Sequence, residues 1–248
     1  MTLLQVRGLT KRFGGLVATD TLDLDVDAGE VHAVIGPNGA GKTTLISQLA
    51  GALRPDAGRI RLAGEDVTGL SSHERVRRGI ARSYQVTNVF RAFTALDNVA
   101  LAVQAGDGSS FGFWRPVQRE RHLFDRAREL LSQVGLAARG DVPAGALAHG
   151  EQRQLEVALA LATRPKLLLL DEPMAGMGPD ESSRMVTLIE GLRDRLTIVL
   201  IEHDMDAVFR LADRISVLVY GRVLATGTAD AVRADADVRR AYLGAETG

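Results

Sequence analysis

Short apolar runs bounded by glycine or by charge recur along the chain, and their lengths separate strands from helices. Val31-His32-Ala33-Val34-Ile35 lies between Gly29 and Gly36. It is too short for a helix and predicts a buried strand. The stretches 167–170, 197–201 and 215–219 have the same form. All-apolar strands of this kind suit a parallel sheet covered by helices on both faces. Elsewhere the period changes. Met185, Leu188, Ile189 and Leu192 fall at i, i+3, i+4 and i+7, as do Leu155, Ala158, Leu159 and Ala162; both sets predict amphipathic helices. In the first forty residues, apolar stretches at 3–6 and 22–26 separated by glycines predict hairpin strands. From about 88 to 140 the pattern is mostly helical, with Leu123, Phe124, Ala127, Leu130, Leu131 and Val134 on one stripe. A glycine-rich loop bearing Phe111, Phe113 and Trp114 precedes that stripe. The chain contains no internal repeat and no low-complexity tract. The pattern predicts an α/β core interrupted by a helical lobe.

Composition narrows the classes. A chain of 248 residues with 46% hydrophobic content can bury a substantial core, as one large domain or a domain with a lobe. Thirty basic residues against 31 acidic ones leave a net charge of −1. That removes the usual electrostatic case for a nucleic-acid partner, although a local basic patch is compatible with a neutral total. There is no cysteine, which excludes disulfides and thiolate chemistry. Arg7 interrupts the apolar core a signal peptide needs, and no apolar run approaches the roughly 20 residues of a spanning helix. The expectation is a soluble, cytoplasmic protein whose link to a membrane runs through a partner.

The strongest chemical signal is Gly36-Pro37-Asn38-Gly39-Ala40-Gly41-Lys42-Thr43-Thr44. It matches G-x-x-x-x-G-K-[ST] and stands after a predicted strand and before a helical run at 44–50, the context that the motif requires. Glycines let successive backbone N–H groups turn inward around phosphate, and the helix N-terminus adds partial positive charge. Lys42 reaches the β and γ phosphates, and the Thr43 hydroxyl is a Mg²⁺ ligand. A P-loop also needs a carboxylate at the end of a neighbouring strand. Asp171, closing the run 167–170, supplies it, holding Mg²⁺ through water. Glu172 points on toward the γ phosphate as general base for the attacking water. An Asp-Glu pair alone is an ordinary solvated strand end; together with a P-loop it predicts nucleoside triphosphate hydrolysis.

With these residues in place the chain resembles the ATP-binding subunits of ABC transporters over nearly its whole length. Seven family elements have counterparts in order: Phe13 as the aromatic that stacks on adenine, the P-loop at 36–44, Gln85 at the start of the helical lobe, and the signature loop at 147–152. The Asp171-Glu172 strand end, the D-loop at 175–178 and His203 complete the set. The resemblance implies one ABC ATPase domain over 1–248. Residues at about 1–87 and 160–248 would form a RecA-like and β core, with an N-terminal antiparallel β subdomain, and about 88–159 the helical lobe. It makes Gln85 a sensor of the metal and γ phosphate and His203 a contact to that phosphate. It implies ATP and Mg²⁺, with a second ATPase subunit whose Gly150 faces the nucleotide on the first subunit's Lys42. It also implies multi-spanning permease subunits and a peripheral place on the cytoplasmic face of the inner or plasma membrane.

The usual signature wording is Leu-Ser-Gly-Gly-Gln. Here Ala148 replaces the serine, His149 the first glycine and Glu151 the glutamine, with Gln152 a second candidate for that role, and the D-loop carries Gly178 in place of aspartate. These departures bear on the strength of the dimer. The text at 221–227 and 238–244 and the insertion at 106–116 look most like the ATPases of branched-chain amino-acid importers. Relatives that move urea or other amides, or lipopolysaccharide, share much of the pattern. A soluble ABC ATPase acting on DNA or ribosomes would be the rival outside transport. Val86, Val89, Phe90 and Phe93, with the aromatics at 111–114, either fold back on the lobe or form a groove for a cytoplasmic helix of the permease.

Overall fold

The computed structural model describes residues 1–83, 89–106, 121–193 and 195–241. A long hairpin opens the chain, β1 (Thr2–Phe13) and β2 (Leu16–Asp27). These strands are far longer than their apolar stretches. Burial alternates over Leu4 and Val6 and over Leu22, Leu24 and Val26, with Leu9 and Thr19 also buried where the pairing register shifts, and outward positions carry charge, as in the Arg7–Asp25 pair at 2.8 Å. β4 (Ala57–Leu62) and β5 (Glu65–Asp66) extend this into a four-stranded antiparallel sheet ordered β2-β1-β4-β5.

The second sheet is ordered β10-β9-β3-β8-β7-β6. It comprises β3 (Val31–Ile35), β6 (Ile80–Arg82), β7 (Leu167–Asp171), β8 (Thr197–Ile201), β9 (Arg214–Val219) and β10 (Arg222–Gly227). All neighbours pair in parallel except β10, which returns antiparallel on β9. The four apolar runs are the strands expected of them, and β7 and β8 are buried along their whole length. The period of two divides their side chains between faces. Leu168, Leu170, Ile198 and Leu200 pack with the helical lobe, whereas Leu167, Leu169, Val199 and Ile201 pack toward α1 (Lys42–Leu49) and the antiparallel sheet. The short elements between 57 and 82, including α2 (Ser72–Arg78), escaped the sequence pattern because few of their residues are buried; β4 buries only Ile60 and Leu62.

The lobe holds α3 (Ala95–Gly106), α4 (Arg121–Gln133) and α5 (His149–Ala162). The predicted stripe on α4 buries Leu123, Ala127, Leu130 and Leu131, with Phe124 partly covered. α5 corrects one expectation, for Gly150 lies in the first turn of a helix and not in a loop. The Glu151 carboxylate accepts the Ala148 N–H at 2.9 Å, which starts the helix at His149. This is half of a capping box, since Ala148 has no side-chain oxygen to complete it. α6 (Pro179–Leu192), α7 (Met205–Leu211), α8 (Ala229–Ala234) and α9 (Ala236–Ala241) come after it, and Met185, Leu188, Ile189 and Leu192 are buried on α6 as their spacing predicts.

Candidate nucleotide site

Parallel strands bring the loops at their C-terminal ends to one edge of a sheet, where ligands of open α/β folds bind. Here residues 36–44 follow β3, His203 stands two residues past β8, Glu172 follows Asp171 at the end of β7, and Arg82 ends β6. Because β3, β8, β7 and β6 are successive neighbours, residues as distant in the chain as Gly36 and His203 lie along one edge.

Two glycines of the loop have no substitute. At Gly36 (φ 152°) an added Cβ would lie 2.0 Å from the Leu218 carbonyl oxygen, and at Gly41 (φ 104°) 2.2 Å from that of Ala18. The loop is thus pressed between β9 and the β1–β2 hairpin. Gly41 caps α1 in a left-handed conformation with no side-chain hydrogen bond to the first turn. Asn38, Gly39 and Thr43 are exposed, Pro37 and Thr44 half-buried, and Ala40 is buried. The Lys42 ammonium is buried within the loop and donates to the carbonyls of Gly36 (2.6 Å) and Pro37 (3.0 Å). Burial lowers its pKa, opposed by the charges of Glu172 and Asp171.

Asp171 is buried, and its Oδ2 accepts from the Arg82 guanidinium at 2.7 Å. A second nitrogen of Arg82 donates to Ser47 on α1 at 3.2 Å. Asp171 Oδ1 has no hydrogen-bond partner among the described residues, so it keeps a lone pair of the kind a hard cation or its bound water takes. Glu172 adopts a left-handed backbone conformation (φ 50°), donates its N–H to Ile201 O at 2.9 Å, and holds His203 Nε2 through Oε1 at 2.5 Å. The general-base and histidine candidates, 31 residues apart in sequence, therefore meet. Phe13 ends β1 49% exposed, with the Lys11 ammonium 5.7 Å from its ring centroid. Gln85 lies outside the described residues.

The signature residues are not at this edge. Gly150 borders a cleft of about 1000 Å³ walled by the ends of α4 and α5 and by α6, and none of residues 36–44 lines it. Nor is its amide open as the sequence suggests, for it donates to Glu181 Oε1 at 3.2 Å. Glu181 is the N3 residue of α6 and also receives the Gly178 N–H at 3.3 Å. Ala148 is exposed, and Glu151 is occupied by the Ala148 amide and by Arg139 at 2.9 Å. Arg82, Glu181 and Glu202 went unread in the sequence. Of these only Glu202, an acid directly after an apolar run, carried a visible signal.

A glycine-built phosphate cradle, a buried carboxylate with one open oxygen, and a Glu–His pair on adjacent strands define a P-loop nucleotide hydrolase. The chain belongs to the ATP-binding cassette family: the ABC transporter family matches residues 19–175, and it is the ATP-hydrolysing component of such a transporter. A second family, described as branched-chain amino acid ATP-binding cassette transporter, matches residues 222–247. The chain is 42% identical to the high-affinity branched-chain amino acid transport ATP-binding protein BraF of Pseudomonas aeruginosa and 40% identical to LivG of Escherichia coli K12, each alignment covering 98% of both chains. The lipopolysaccharide export system ATP-binding protein LptB of Acidithiobacillus ferridurans is 37% identical, over 98% of this chain and 97% of that one. The ADP conformation of MJ1267, an ATP-binding cassette of an ABC transporter, superposes with a TM-score of 0.85 at 29% identity, covering 98% of this chain and 99% of that one.

Proposed function

We propose that this chain energises the import of branched-chain amino acids, binding ATP on residues 36–44 and hydrolysing it with Glu172 as general base. The cargo reading is supported by the family match at 222–247 and by higher identity to BraF and LivG than to LptB. The chemistry rests on one observation, the 2.5 Å bond between Glu172 and His203 beside the Lys42 cradle. Lys42 turns from the carbonyls of Gly36 and Pro37 to the β and γ phosphates. Glu172 draws the proton from the attacking water, and His203 orients Glu172 and contacts the γ phosphate. Phe13 stacks on the adenine. Thr43, Gln85 and, through water, Asp171 would hold Mg²⁺, which neutralises charge on the phosphates when bound.

Since Gly150 and the P-loop do not meet within one chain, the site is completed by a second cassette, identical or different, arranged antiparallel. Its Gly150 amide would leave Glu181 Oε1, to which it donates in the free chain, and donate to the γ phosphate, while Ala148 and Glu151 shape that turn. No helix among the described residues is long and apolar enough to cross a membrane. The subunit sits peripherally on the cytoplasmic face against multi-spanning permease subunits. The docking surface includes Phe90 and Phe93, 62% and 47% exposed with ring centroids 5.4 Å apart; Phe111, Phe113 and Trp114 lie outside the described residues. Glu172→Gln should lower hydrolysis by about 10²- to 10⁴-fold with ATP binding intact, and Lys42→Ala should abolish hydrolysis. With ATP and Mg²⁺, Glu172→Gln should shift to a dimer in light scattering, alone or with a partner cassette. Hydrolysis by Glu172→Gln at the parent rate would refute the base, and a persistent monomer the shared site.

A further inference from the structure

Glu202 lies between the two loops that carry Glu172 and His203, and it is buried. Its Oε1 accepts the N–H of Met174, two residues past Glu172, at 2.9 Å. Its Oε2 accepts the N–H of His203 at 3.0 Å. The segments 172–174 and 201–203 are also joined by Glu172 N–H to Ile201 O and by the Glu172–His203 bond itself. A carboxylate is an expensive group to bury for the sake of two loop amides. Burial pushes its pKa up, against the amides of Met174, His203 and Asp204 that favour its charge. Packing alone would be served by an apolar residue here, as it is from Ile198 to Ile201 just before. What the carboxylate adds is two acceptors on one rigid fork, each directed at a different loop.

We infer that Glu202 is a positioning residue for hydrolysis: by bridging the Met174 and His203 amides, it sets the separation at which the Glu172 and His203 side chains meet. This rests on the reading of Glu172 as general base. Glu202 touches neither reacting atoms nor nucleotide, so its loss acts on the turnover step and not on ATP binding.

Glutamine at 202 has nearly the same shape but offers one acceptor, and its NH₂ opposes the other amide. In the full chain, Glu202→Gln should lower kcat about 10²-fold, the scale on which small misplacements of catalytic groups act, with KM for ATP unchanged within about twofold. In nucleotide-free protein labelled with ¹⁵N-histidine, the His203 ring signals should move, while those of His32, buried between Glu30 and Ser216, should stay and report an intact fold. An unmoved His203 signal, an unchanged kcat, or a kcat loss matched by a KM rise overturns the assignment. Should Glu202→Gln fail to fold, Glu202→Asp, with both acceptors on a chain one methylene shorter, is judged by the same measurements. Glu172→Gln run alongside separates the two readings. If it hydrolyses ATP at the parent rate, the general base is refuted, while the His203 signal still decides whether Glu202 sets the geometry.

Discussion

Replacing Gly150 with alanine should remove function while leaving the fold nearly untouched. An added Cβ there would lie 2.7 Å from Glu181 Oε1 and 3.1 Å from its Cγ. Both atoms belong to a side chain that can rotate away. The substitution loses the bond from the Gly150 amide to Glu181, worth about 1.5–3 kcal/mol as a charged hydrogen bond. It regains up to about 1 kcal/mol of helix propensity. With the full gain the net loss is about 0.5–2 kcal/mol, a fall in Tm of about 1–8 °C for a chain of this length. In the proposed shared site the same methyl would crowd the Gly150 amide where the partner's γ phosphate would be received. Losing a donor of that kind costs about 10²- to 10³-fold in rate. Gly41→Ala is the control with the opposite balance. Its left-handed backbone costs about 1–3 kcal/mol for any other residue, and its Cβ meets the Ala18 carbonyl at 2.2 Å, which is backbone and cannot swing aside. A loss of about 3 kcal/mol should lower Tm by about 6–12 °C and weaken ATP binding. Thermal melts, ATP binding and hydrolysis, and ATP-driven dimerisation in a Glu172→Gln background read the two variants. Parent-like ATP hydrolysis by Gly150→Ala, or a melt as low as that of Gly41→Ala, would refute a role for Gly150 in the shared site.

Three further outcomes rest on individual contacts. Arg82→Met strips the buried Asp171 of its cation and should cost about 3–5 kcal/mol in urea unfolding; a loss under about 1 kcal/mol would show that the pair carries little of the fold. Phe90→Glu or Phe93→Glu, at exposed positions, should change stability by no more than about 0.5 kcal/mol yet release the subunit from membranes and uncouple transport, so variants that stay bound and transport normally place the docking surface elsewhere. Glu30 is pushed up by burial, but the hydrogen bonds from His32 and the Asp27 amide and the charges of His32 and Arg214 outweigh this and hold it below the ordinary carboxylate range. The unfolded chain therefore binds this proton at higher pH than the folded one. The stability Glu30 contributes is present above the unfolded value and drains as pH falls through the folded one. Urea midpoints tracked from neutral pH into acid should fall less steeply for Glu30→Gln, and parallel curves would refute the assignment.

The local elements at the heart of the site were written in the sequence because each depends on nearest neighbours. A run such as Leu167-Leu168-Leu169-Leu170 is too short for a helix and apolar on both faces, which suits a strand covered on both sides. The spacing of Gly36, Gly41 and Lys42 has one backbone solution around a phosphate. The order of Phe13, the P-loop, Asp171-Glu172 and His203 carried the family with it. Elements held by few buried residues, β4 and the three-residue β6, had too little periodicity to be read, and Arg82 went unread with β6. Distance across the sheet was also beyond local pattern. That Asp171 meets Arg82, or Glu172 meets His203, comes from the order β3-β8-β7-β6, which no stretch of sequence encodes by itself. The start of α5 depended on Glu151 reaching back to the Ala148 amide, and the state of the Gly150 amide on Glu181 arriving from a helix 31 residues away. Hydrophobic period and glycine spacing are properties of a few adjacent residues and survive in the sequence. The partner of a buried charge is chosen only when the sheet closes and the cost of leaving that charge alone is met by whatever the topology brings beside it.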